Sequence, residues 1–90
     1  MEVTLRVRKR IERDFGSSGA AEEICRLVGE ANDTERVQAA IVLAAAGEGT
    51  RLHDAIALAL LDWRDLLMNV DLANQDWPTR LDAQLGPAAT

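Results

Sequence analysis

The chain has 90 residues and a net charge of −5. That is one small domain, with room for a single modest core and little for a deep substrate cleft beside it. Its apolar residues are mostly Ala and Leu, and its only aromatics are Phe15, Trp63 and Trp77, a balance that excludes a strand-rich fold and points to an all-α one.

Residues 2–15, "EVTLRVRKRIERDF", carry two periodicities. Val3, Leu5 and Val7 alternate as in a strand, whereas Val3, Val7, Ile11 and Phe15 recur every four residues as in a helix. Opposite charges at Glu2–Arg6, Arg8–Glu12 and Arg10–Asp14 support the helix, and a lone strand would find no partner. A helix with a fraying first turn is predicted. Five bases (Arg6, Arg8, Lys9, Arg10, Arg13) meet three acids here, while the other 75 residues hold five bases and twelve acids. A basic segment therefore leads an acidic body. It lacks the apolar stretch of a secretory signal.

"GSSG" at 16–19 breaks the pattern, and Ser17 or Ser18 can cap the next helix. That helix runs to about Ala31 with an apolar stripe of Ile24, Leu27, Val28 and Ala31, and with Glu22, Arg26 and Glu30 on its wet side. Cys25 is the one cysteine, so the chain forms no internal disulfide and no thiolate metal cluster. The thiol reads as packed, and a reducing cytosol suits it.

"NDTE" at 32–35 has capping-box spacing, with Asn32 at the cap and Glu35 three residues on. The third helix, to about Ala46, is apolar at every position from Ala39, the mark of a buried helix. Its apolar run and that at Ala55–Leu61 are too short to span a bilayer. "GEG" at 47–49 stops it, with Gly47 suited to a left-handed turn and Thr50 to capping the fourth helix. The fourth helix, about 50–69, is the longest. Leu52, Ala55, Ile56, Ala59, Leu60, Trp63, Leu66, Leu67 and Val70 share one broad face, which places Trp63 in the core. Leu58, Leu61 and Met68 lie on the opposite side. "DLANQD" at 71–76 reads as a solvated connector and lacks the ligand spacing and glycine of a calcium loop. Asp76 or Trp77 then caps a short last helix, with Pro78 in its first turn and Gly86 at its stop.

"AAGEGTRL" at 45–52 resembles the Gly-rich phosphate loop of the sugar-nucleotidyltransferase family. The resemblance implies phosphates held by Gly47, Gly49, Thr50 and Arg51. It covers eight residues, and the Pro-Lys pair that follows in that family is missing. The only lysine is Lys9. We read the match as accidental, a helix–Gly turn–helix hairpin. As a helix-turn-helix it would offer only Arg51 and His53 to bases. One Cys and one His do not make a metal site by themselves.

"RVQAAIVLAAAG" followed by "LLDWRDLLMNVDLANQDWP" resembles small uncharacterised all-helical proteins of high-GC bacteria, an origin that nine arginines against one lysine also suggest. That group has no assigned activity to carry over. The expectation is a single helical domain over 1–86 with a flexible tail at 87–90: a compact bundle of four to five helices around a central hairpin. The expected function is a cytoplasmic, non-enzymatic protein-interaction or adaptor module without cofactor, metal or membrane span. A homodimer is expected through Leu58, Leu61, Met68 and Trp77. Nucleic-acid binding through the basic patch Arg6, Arg8, Lys9, Arg10 and Arg13 is the alternative, disfavoured by the acidic body.

Overall fold

Thr4 is extended and the first helix, α1, runs from Leu5 to Phe15. The structure, a computed structural model, describes residues 2–16 and 19–87. The helical period wins over the alternating one because it puts Val7 and Ile11, both fully buried, and half-buried Phe15 on one face. The strand-like alternation fails at Leu5, which stays exposed.

α2 spans Gly19–Ala31; the caps expected from Ser17 or Ser18 lie outside the described residues. Its buried face is not the expected stripe. Ala21, Cys25, Val28 and Gly29 face the core, while Ile24, Leu27 and Ala31 are only half-buried. Small side chains at 21, 25 and 29 make a shallow seam that leaves room for α1 and α3, so volume rather than hydrophobicity set the rotation.

The entry to α3 (Glu35–Ala45) also departs from the expected capping box. The Asn32 carboxamide oxygen accepts the Thr34 amide at 2.8 Å and the Thr34 hydroxyl at 2.7 Å. This Asx turn spends the Asn32 side chain before the helix begins. Thr34 is the N-cap, and Glu35, as the first helical residue, turns its carboxylate to α1 instead of back to the cap. Val37 through Val42 and Ala45 are buried, as the unbroken apolar run required. Gln38 sits among them and donates from its amide nitrogen to the Asn32 carbonyl at 2.8 Å.

Ala46 (φ 50°) and Gly47 (φ 79°) are both left-handed and reverse the chain. A Cβ on Gly47 would stand 3.0 Å from the Asp14 carbonyl oxygen, so the glycine also admits the end of α1. Glu48, not Thr50, is the N-cap of α4, which runs from Gly49 to Asn69.

α4 is not straight. Asp62 leaves the helical region (φ −155°, ψ 86°), and its carboxylate accepts the amides of Arg64 at 3.2 Å and Asp65 at 3.4 Å. Asp62 thus acts as the N-cap of a second segment. The first segment buries Leu52, Ala55 and Ala59; the second buries Leu66 and Leu67. The single face expected across the whole helix is broken at this elbow. Leu60 is 68% exposed and Trp63 43% exposed, which corrects the placement of both in the core.

The second segment ends in a Schellman motif. Asp71 is left-handed (φ 65°), its amide donates to the Met68 carbonyl at 3.3 Å, and the Leu72 amide donates to the Leu67 carbonyl at 2.9 Å. Leu72 is fully buried. The 71–76 segment is therefore anchored, not simply solvated as expected. α5 (Trp77–Leu85) follows Asp76 as N-cap, carries Pro78 in its first turn and stops at Gly86 (φ 86°), as the sequence indicated.

The described residues thus form an all-α bundle of five helices. α3 and α4 share the most extensive contact, α1 and α2 pack across α3, and α5 closes on α1. One core cluster draws on all five. The radius of gyration, 11.7 Å, matches the roughly 12 Å of a packed chain this long. Among the described residues no helix is long and apolar enough to cross a membrane. Of the expected tail at 87–90, residues 88–90 lie outside the described residues.

Candidate interaction surface

The cations of α1 separate into different roles. Arg6 is buried between α3 and α5. Its guanidinium grips Glu35 through two bonds, at 2.9 and 2.6 Å, and reaches Asp82 at 2.6 Å and the Gly86 carbonyl at 2.9 Å. Thr4 adds a hydroxyl to Glu35 at 2.5 Å. Hydrogen bonds from Arg6 hold the Glu35 carboxyl below the usual carboxylate range, against the opposing effect of burial. Glu35 in turn is the main cause that raises the Arg6 pKa. Arg10 pairs with Asp14 at 3.0 Å and donates to the Gln84 carbonyl at 3.1 Å. Arg6 and Arg10 therefore supply positive charge to the C-terminal carbonyls of α5, where the helix dipole favours it. Arg8 pairs with Glu22 at 2.7 Å. Only Lys9 and Arg13 of the five are exposed and hold no ion pair among the described residues.

Elsewhere, Arg51 is exposed and pairs with Glu48 at 3.4 Å on the first turn of α4, and His53 is exposed. Cys25 is buried, and desolvation pushes its thiol pKa up. A raised pKa suppresses the reactive thiolate. No group of three or more His, Cys, Asp or Glu among the described residues is placed to hold a metal ion.

The elbow of α4 gathers the exposed apolar surface. Among the described residues the exposed large hydrophobics are Leu5, Leu60, Leu61, Trp63 and Met68, and the last four lie within nine residues. Leu61 is 86% exposed and Met68 68% exposed. Leu58 is turned inward, half-buried against the core. Trp77 is half-buried at the start of α5.

Trp63 and Trp77 both line a groove of about 470 Å³ whose remaining wall is the 32–37 segment at the start of α3. Arg36 lies over the Trp77 ring at 4.9 Å, and Arg64 over the Trp63 ring at 5.2 Å. Arg36 is further fixed by donating to the Leu72 carbonyl at 2.8 Å. Trp63 and Arg36 also border a second hollow of about 310 Å³, which Arg64 and Met68 line from the other side. Sequence reading named Leu61, Met68 and Trp77 for this surface but placed Trp63 and Leu60 on the core face. The available signal was Asp62, a capping residue between "LL" and "WR", in a pattern otherwise read as one helix.

Comparisons with known proteins find no family model, no curated protein and no solved structure that matches the chain.

Proposed function

We propose that the protein is a non-enzymatic interaction module of the cytosol that binds through the elbow of α4, first of all to a second copy of itself. One observation carries the reading. Among the described residues, four of the five exposed large hydrophobics fall between Leu60 and Met68, a concentration of exposed apolar side chains that points to a covering partner. Leu60 and Leu61 stand just before the break of α4 at Asp62, where both are largely exposed. A two-fold contact there would bury the same residues on both copies. Leu58, Leu61, Met68 and Trp77 remain the named candidates, with Leu60 and Trp63 added and Leu58 demoted by its inward packing.

Sedimentation over a range of concentrations tests this. The native chain should form a dimer, and the Leu60→Asp/Leu61→Asp variant should be a monomer with unchanged helicity. A native chain that stays monomeric at high concentration removes the dimer.

Nucleic-acid binding through α1 is the weaker reading. Arg6, Arg8 and Arg10 are engaged with carboxylates, which leaves Lys9 and Arg13 to meet phosphates. Two such contacts would give weak binding with a shallow salt dependence.

A further inference from the structure

Two of the three arginines that hold no carboxylate among the described residues lie at the tryptophan groove, the third being Arg13 on α1. Arg6, Arg8, Arg10, Arg26, Arg51 and Arg80 each hold at least one carboxylate. Arg36 and Arg64 hold none among the described residues. Both instead lie over the two indoles that line the groove. A cation–π contact restrains a guanidinium without neutralising it, and although Arg36 spends its Nε on the Leu72 carbonyl, the terminal nitrogens of both remain for a planar acceptor.

The carboxylates close by do not cancel this charge. Glu35 is committed to Arg6 and Thr4. Asp62 is committed to the amides at the elbow. Asp33 lines the groove with no partner among the described residues, so the groove and the adjoining hollow together set Arg36 and Arg64 against one uncommitted anion. The positive end of α3 adds to the same sign. The net charge of −5 opposes an acidic ligand only at long range, and salt screens that beyond about 8 Å under physiological conditions.

The shape narrows the ligand further. The groove is open, with Trp63 nearly half-exposed, and it shares Arg36 and Trp63 with the second hollow beside it. An enclosed pocket suits a small molecule, which buries most of its surface. A continuous open groove suits a chain that lays one side chain into it and runs on. We infer that the groove binds a peptide segment of a partner protein, with an apolar side chain against Trp63 and Trp77 and flanking carboxylates on Arg36 and Arg64. The inference rests on the interaction reading above and adds a site and a ligand chemistry to it.

The chain's only tryptophans are the two in the groove, so intrinsic fluorescence reports on this site alone. The probes are two short capped peptides that lack tryptophan, each with a central Leu-Phe-Leu, one flanked by Asp and Glu and the other by Lys and Arg. The acidic peptide should shift the emission saturably, and the basic one should not. Arg64→Gln should weaken the acidic peptide roughly tenfold, the scale of one charge-assisted contact. Arg64→Glu should transfer preference to the basic peptide. Among the described residues the Arg64 guanidinium makes no hydrogen bond or ion pair, so both variants should keep the native melting temperature. Silence with both peptides, equal binding of both, or an emission shift that follows protein concentration alone would overturn the inference; the last result would mean that a second copy fills the groove. Sedimentation of the Leu60→Asp/Leu61→Asp variant separates the two readings. If the native chain dimerises and the titration is silent, only the peptide site is lost.

Discussion

Arg6 shows how a residue type can mislead when its surroundings are unknown. In the sequence it is the first of five bases on an amphipathic helix. In the structure it bonds Glu35 on α3, Asp82 on α5 and the carbonyl of Gly86, and so ties three helices together. Removing it strands a carboxylate that is three-quarters buried. Arg6→Met should therefore cost about 2–3 kcal/mol in urea unfolding, toward the lower end for a buried pair because Asp82 is half-exposed. Arg6→Lys should recover only part of this, since an ammonium cannot form the two parallel bonds to Glu35. The same pair predicts a pH dependence. The folded pKa of Glu35 is depressed, so its contribution is fully present above the ordinary carboxylate range. It is lost as pH falls through the folded pKa. Urea midpoints from pH 7 down to pH 3 should fall less steeply for Glu35→Gln than for the native chain, although the variant starts from lower stability at pH 7.

At the scale of elements, the turns decide how the helices meet. The α3–α4 turn contains two glycines with different duties. Gly47 has a positive φ and only a tight 3.0 Å gap between a Cβ and the Asp14 carbonyl oxygen, whereas Gly49 has ordinary helical geometry and open space around it. Gly47→Ala should destabilise by about 2 kcal/mol, since backbone strain and the α1 contact act together. Gly49→Ala should be within about 0.5 kcal/mol of neutral. Thermal unfolding of the two variants side by side checks this, and equal losses would mean that the turn tolerates a Cβ at Gly47. The elbow at Asp62 is the other decisive element. It turns the second segment so that Leu66 and Leu67 bury while Leu60, Leu61 and Trp63 face outward. The candidate surface is thus a consequence of one residue leaving helical geometry.

The whole molecule is a single cooperative core, with contributions from every helix and from Leu72 in the last connector. Cys25 reports on that cooperativity, because it is buried and its thiol pKa is raised. A thiol reagent should modify it at least a thousandfold more slowly in buffer than in denaturing urea, since access needs substantial opening of the bundle. Comparable rates would show that α2 opens locally.

The sequence by itself determined the helical class, narrowed the helices to four or five and placed most of their ends. These follow from local signals: the four-residue spacing of Val7, Ile11 and Phe15, the apolar run of α3, and Asp76, Pro78 and Gly86 around α5. It did not reveal that Arg6 is a buried clamp, because Glu35 and Asp82 lie 29 and 76 residues away and no local pattern encodes such distances. Nor did it place the tryptophan groove. Periodicity assumes a straight helix, and Asp62 breaks α4 where its carboxylate can cap the amides that follow. Only the packing of α3, the second half of α4 and α5 decided that Trp63 leaves the core and joins Trp77, Arg36 and Arg64 on one face. Helix formation is a local energy that neighbouring residues settle, whereas a shared surface depends on the angles at which finished helices pack.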